Sequence, residues 1–188
     1  MKSTLLAIPD VILIEPDLYK DNRGYFFESF NAQKFSKAIN REVFFVQDNE
    51  SKSKQAVLRG LHYQIVKPQA KLVRVTEGKV FDVAVDIRKN SPTFGKWVGA
   101  ILSADKYHQL WIPEGFAHGF QVLSEIARFQ YKVTDYRYPE YERCIRYDDP
   151  DIDIQWPAVE YKFPIALPAV LSDKDMQGHY LKNADIFN

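Results

Sequence analysis

Residues 112–118 read Ile112-Pro-Glu-Gly-Phe-Ala-His118, and residues 59–64 read Arg59-Gly-Leu-His-Tyr-Gln64. The first has the spacing Pro-x-Gly-x-x-His. In the second, His62 and Gln64 lie two apart, so on a strand they share one face. Arg59 precedes them by one short step, Lys71 opens the next apolar run and Arg74 follows it. Around these segments the chain breaks into short β-type runs: Val11–Glu15, Tyr25–Phe30, Val43–Gln47, Trp97–Leu102, Gln109–Ile112, Gly119–Leu123 and Ala127–Thr134. Two β-branched runs around Thr76-Glu77-Gly78, spanning Lys71 to Arg88, predict a hairpin. Near-regular spacing of many short strands predicts a β-sandwich or barrel. One helix is expected over Asn31–Asn40, with Asn31 as its cap. Asp21-Asn22-Arg23-Gly24 reads as a turn, and Gln47-Asp48-Asn49 as a polar loop. From Asp149 on, Pro150, Pro157, Pro164 and Pro168 predict extended loop with one short helix.

The Pro-x-Gly-x-x-His segment resembles that of a cupin barrel, where the His normally binds a metal and a His-x-His pair supplies further ligands. Here that pair is His62 and Gln64. Besides His62 and His118, only His108 and His179 exist, and neither falls on the cupin spacing. A metal site needs three or four convergent ligands. The resemblance with a depleted ligand set implies metal-free chemistry by side chains, with His62 as a candidate base. A strand His also serves as a hydrogen-bonded core residue, and its pairing with His118 favours the chemical role.

The 188 residues suit one domain with a sizeable core. We expect a single domain over 1–188, with a barrel core at about 43–148 and an extended tail at about 149–188. Twenty-five basic and 25 acidic residues cancel, so no global field draws nucleic acid or an anionic membrane. Thirteen Phe, 11 Tyr and 3 Trp suit a β-rich core and an aromatic-lined cleft. Cys144 is the only cysteine, so no intrachain disulfide forms, which fits a reducing cytoplasm. No apolar run approaches the roughly 18 residues of a membrane helix. The first ten residues lack a long apolar region.

Other residues can carry chemistry. Tyr131 is either a packing residue or a weak acid able to protonate a carbanion. Arg23, Arg59 and Lys71 form either a diphosphate site, since Arg offers forked donors, or an ordinary set of solvated charges. No glycine-rich phosphate loop is present.

Taken together the chain resembles the dTDP-4-dehydrorhamnose 3,5-epimerase family. The landmarks run from Asp21-Asn-Arg-Gly-Tyr-Phe-Phe-Glu28 through Leu58-Arg-Gly-Leu-His-Tyr-Gln64, Gly78-Lys-Val-Phe-Asp-Val-Ala-Val-Asp-Ile-Arg88 and Gln109–Phe120 to Leu171-Ser-Asp-Lys-Asp175. The resemblance implies a mainly β, cupin-type jelly roll and a cytoplasmic homodimer. It also implies a cofactor-independent isomerase that inverts carbons 3 and 5 of dTDP-4-keto-6-deoxy-D-glucose for dTDP-L-rhamnose and cell-surface polysaccharide. It casts His62 as base, Asp175 as its dyad partner, Tyr131 as acid and Lys71 as the enolate's cation. Arg23, Glu28, Gln47, Asn49, Arg59, His118, Glu142 and Lys174 become substrate contacts. The family commonly has an aromatic residue six positions after the acid, stacking on the base. Here that position is Arg137, so either Arg137 stacks or Tyr138 does, and Tyr138 joins the expected contacts. A single-carbon epimerase, a ketoisomerase, a non-catalytic sugar-nucleotide-binding cupin and a metal-dependent cupin are the competing readings.

Overall fold

The computed structural model describes residues 1–161 and 163–188, and for 160–166 it describes no side chains. In chain order the strands begin with β1 (Lys2–Leu5), β2 (Ile12–Glu15), β3 (Tyr19–Asp21), β4 (Gly24–Phe26), β5 (Gln47–Lys54) and β6 (Leu58–Gln64). Next come β7 (Lys71–Glu77), β8 (Lys79–Asp86), β9 (Trp97–Ser103), β10 (Gln109–Ile112), β11 (Phe116–Val122) and β12 (Ile126–Val133). The tail adds β13 (Glu142–Cys144), β14 (Val159–Tyr161) and β15 (Phe163–Leu167). Helix α1 (Ala32–Ile39) lies between β4 and β5, and α2 (Asp173–Met176) follows β15.

Two sheets face each other as a sandwich. One has six strands in the order β1-β2-β10-β7-β12-β5, and the other has five in the order β13-β6-β11-β8-β9. Alternation along each strand divides the apolar residues into three layers. Between the sheets lie Val73, Val75, Val80, Ala84, Phe120, Phe129 and their neighbours. The outer face of the six-stranded sheet packs Ile12, Ile14, Leu72 and Trp111 against Phe35 of α1. Helix α1 starts at Asn31, whose side chain accepts from the Lys34 amide, and it ends at Asn40 in the left-handed region. The outer face of the five-stranded sheet packs Leu61, Tyr63, Val83, Val85 and Ala117 against Ile145, Ile152, Ile154 and Leu181 from the tail.

Several expectations change. The Lys71–Arg88 hairpin does not form: β7 and β8 pair in different sheets, so the chain crosses the sandwich at Gly78. Gly78 has φ +78°, and a Cβ there would meet the Ile126 carbonyl oxygen at 1.9 Å, so only glycine makes this corner. Val43–Val46 is not strand; the strand begins at Gln47 and absorbs the supposed polar loop. The strand expected over Tyr25–Phe30 ends at Phe26, in a hairpin with β3. The tail is more ordered than extended loop, since β14 and β15 pair and α2 follows them; Lys162 lies outside the described residues. Among the described residues no helix is long and apolar enough to cross a membrane.

Candidate active site

A cavity of about 190 Å³ opens between the sheets. From the five-stranded sheet, β6 contributes Arg59, His62 and Gln64, β11 contributes His118 and Phe120, and β13 contributes Glu142. From the six-stranded sheet, β5 contributes Gln47, Asn49 and Ser51, β7 contributes Lys71, and β12 contributes Phe129 and Tyr131. Period-two alternation places these residues inward except Arg59, which is three positions from His62 and reaches the cavity through the register shift in the β6–β11 pairing. Asn49, Tyr131 and Val73 are cross-strand partners, as are Cys144, His62 and His118. Phe120 and Phe129 stack across the sandwich with centroids 4.1 Å apart, where the cavity meets the core.

His62 is one-third exposed, and its Nε2 lies 2.8 Å from Oδ1 of Asp175. The ring N–H is not aligned on that oxygen, so the contact is an ion-pair approach rather than a linear hydrogen bond. Asp175 is buried and comes from α2, whose cap is reciprocal: Ser172 accepts from the Asp175 amide while the Asp175 carboxylate accepts from Ser172. The Gly60 amide donates to Oδ1 at 3.2 Å. Burial alone would raise the Asp175 pKa. The contacts from His62, Ser172 and Gly60 outweigh it and hold the carboxyl at about 2.

His118 is buried, and its Nε2 lies 3.0 and 3.1 Å from the two oxygens of Asp82, which is itself fully buried. Burial lowers the His118 pKa despite the attraction of Asp82, and nearby Lys71 opposes a second positive charge. Lys71 is buried too, and its Nζ donates to the His62 carbonyl at 3.3 Å. Burial pushes it down to about 8, against the pull of Asp82 and Glu142. Burial raises the Tyr131 hydroxyl above the ordinary phenol range, so Tyr131 holds its proton at neutral pH. Glu142 takes two cations, Arg137 at 2.8 Å and Lys174 at 2.7 Å. The hydrogen bond from Arg137 is the main cause of its low pKa, about 2.

Of the sequence-predicted residues, His62, Tyr131, Lys71, Gln47, Asn49, Arg59, His118 and Glu142 share this cavity, with Asp175 behind His62 and Lys174 on Glu142. Arg23, Glu28 and Tyr138 are not among its lining residues. Arg23 folds onto Asp21 in the exposed β3–β4 turn. Glu28 is held by Lys34 and Asn31. The Tyr138 hydroxyl accepts from Lys67 at 3.0 Å, and Arg137 takes the place on the cavity wall. Residues 134–138 are not strand, so the strand geometry assumed for Tyr136 and Tyr138 does not apply. Gln64 spends its amide on the Lys67 and Tyr136 carbonyls and its oxygen on the Tyr138 amide. Sequence reading passed over Asp82, though a lone carboxylate in the apolar run Val80–Val85 was the available signal. A larger cavity of about 350 Å³ involves the outer face of the six-stranded sheet, where Lys132 is paired with Asp48 and Arg74 with Gln130.

A family profile described as dTDP-4-dehydrorhamnose 3,5-epimerase matches residues 5–183. The chain belongs to this family. The dTDP-4-dehydrorhamnose 3,5-epimerase of Pseudomonas aeruginosa is 57% identical over 187 residues, covering 100% of this chain and 99% of that one. Among solved structures, the dTDP-6-deoxy-D-glucose-3,5-epimerase of Legionella pneumophila in complex with dTDP-4-keto-L-rhamnose superposes with TM-score 0.91 at 49% identity. That match covers 98% of this chain and 94% of the other. A 3'-monoepimerase from Streptomyces bikiniensis in complex with dTDP-quinovose is similar at TM-score 0.84 and 31% identity, covering 94% of this chain and 86% of that one. Solved structures similar to this chain thus include both a 3,5-epimerase and a 3'-monoepimerase.

Proposed function

We propose that this chain inverts carbons 3 and 5 of dTDP-4-keto-6-deoxy-D-glucose, giving dTDP-4-keto-L-rhamnose, as one epimerase domain. The observation that carries the reading is the placement of His62 and Tyr131 on opposite sheets with Lys71 between them in sequence and beside them in space. The 4-keto group acidifies the hydrogens on both neighbouring carbons. His62 removes one proton, and Asp175 stabilises the imidazolium that forms. The Lys71 ammonium meets the negative charge that develops on the ketone oxygen. Tyr131 then delivers its proton to the carbon from the other side, inverting it. His62 loses and Tyr131 regains a proton through solvent, and the cycle repeats at the second carbon. No redox cofactor or metal enters these steps.

The cavity is smaller than the roughly 300–1,000 Å³ of ordinary ligand pockets. It takes the sugar, which the buried His118 faces from the cavity floor, and the diphosphate and base lie in the mouth, near Arg59, Gln47, Asn49 and the Arg137–Glu142–Lys174 group. Arg23 and Glu28 stand apart from their own chain's cavity, so contact with substrate requires a second copy. A homodimer is therefore part of the proposal, and the exposed Tyr25 and Phe26 on the same hairpin suit burial against that copy. The cytoplasm is the proposed compartment, and cell-surface polysaccharide the destination of the product.

Turnover in deuterium oxide, followed by NMR at each ring carbon, tests the reading. Deuterium should enter at both carbon 3 and carbon 5. Incorporation at one carbon alone would make the chain a mono-epimerase, and a displaced keto group would make it a ketoisomerase.

A further inference from the structure

Cys144 has no part in the proton transfers above, yet the strand register places it directly across from His62. It is buried, and α2 brings Asp175 to the same point. One donor atom each from His62, Cys144 and Asp175 lies within 4.8 Å of the others. His62 Nε2 is buried there without an aligned hydrogen-bond partner. Nitrogen, thiolate and carboxylate are the three ligand types zinc takes, at bond lengths of about 2.0–2.3 Å. A tetrahedral ion with such bonds needs donors roughly 3.3–3.6 Å apart. Reaching it takes a small opening of the 2.8 Å contact between His62 and Asp175 and a closing of any separation that approaches the 4.8 Å limit of the set.

We propose that His62, Cys144 and Asp175 form an inhibitory site for a thiophilic divalent cation, with zinc as the type ligand. The ion enters from the cavity side, past the one-third-exposed imidazole, and keeps a water as fourth ligand. Cys144 gives its thiol proton to solvent as the sulfur–metal bond forms. A metal on Nε2 removes the imidazole from base duty and takes Asp175 with it. Arg59, Gln47 and the Arg137–Glu142–Lys174 group are untouched, so nucleotide binding persists. Magnesium, which demands six oxygen ligands, does not fit this donor set. The inhibition rests on His62 as the base; the binding does not.

The test uses the full chain stripped of metal. Cobalt(II) should bind one ion per chain and give a sulfur-to-cobalt charge-transfer band, and zinc should displace it. Zinc should lower kcat at least tenfold with KM and dTDP affinity unchanged, and magnesium should do nothing at the same concentration. Cys144→Ser should abolish the band and raise the inhibitory zinc concentration at least tenfold. Absence of the band in the wild-type chain overturns the site and leaves His62 as base untouched; that measurement needs no variant. Equal zinc sensitivity of wild type and Cys144→Ser also overturns it. A cobalt band without loss of turnover overturns the inhibition and, with it, the role of His62.

Discussion

His62 and His118 are cross-strand partners in one sheet, and each has a carboxylate, but the two pairs differ in burial and in where the carboxylate comes from. His118 and Asp82 both come from core strands, both are buried, and the imidazole bridges both carboxylate oxygens. His62 keeps a third of its side chain open to the cavity, and its carboxylate arrives from a helix in the tail. A base must be reachable and must be able to change charge. A structural pair must be dry and held in one state. On the proposed mechanism one sheet carries a working imidazole and a fixed one, separated by burial and by where the carboxylate originates.

The largest expected effect separates these two roles. His62→Ala should lower kcat roughly 10²–10⁴-fold, the range of a general base, with dTDP binding changed by no more than a few-fold. His118→Ala should instead lower unfolding stability by about 3 kcal/mol, because it strands the buried Asp82 carboxylate. Denaturant unfolding and steady-state kinetics on both variants decide the matter, and reversed outcomes would break the comparison.

Asp175→Asn sharpens it next. Turnover should fall by on the order of 10²-fold, less than for His62→Ala, because the base remains but its imidazolium loses support. The same change bears on acid stability. The Asp175 carboxyl sits at about 2 in the folded chain against an ordinary 3.8. Its contribution is present above 3.8 and is lost as pH falls towards 2. The Asn variant should lose that segment of the stability–pH curve.

Lys71 gives a smaller effect on the alkaline side. It is protonated below about 8 and neutral above. The kcat profile should decline as pH rises through about 8, and Lys71→Arg should move that limb upward. A flat profile to pH 9.5 (roughly the far side of such a titration) would remove the ammonium from the mechanism.

The smallest effect concerns the nucleotide. Arg137→Ala should weaken dTDP binding several-fold, in line with roughly 1–3 kcal/mol for a stacked base. Tyr138→Ala should do less, since Tyr138 turns back onto Lys67. Titration calorimetry with dTDP and UDP separates the two, and equal losses would return Tyr138 to the site.

What could be read in advance follows from the type of signal each element carries. His62, Gln64 and His118 were legible because they interrupt apolar runs at fixed spacing. Strand β5 was not legible, because Gln47 to Lys54 is polar on both faces: one lines the cavity and the other meets solvent. Period-two reasoning relies on an apolar face, and this strand has none. The supposed Lys71–Arg88 hairpin failed for a related reason. A short Glu-Gly link between β-branched runs looks the same whether the strands pair or the chain changes sheet. Asp175 is 113 positions from His62, and only the family resemblance could join them. Arg23 and Glu28 were nominated in the same way, and their own chain does not bring them to the cavity.

The stacked rings of Phe120 and Phe129 belong to opposite sheets and touch beneath the reactive groups. On the proposed mechanism they act as a spacer bar between two jaws, one that withdraws protons and one that supplies them. The thickness of that bar sets the gap in which a ring must fit to be attacked from one side and answered from the other. On that reading, altering this one aromatic couple would change the width of the gap and leave every proton-handling group in place. Because the same couple is part of the hydrophobic core, any such alteration is also a change in how firmly the two halves of the molecule are held together.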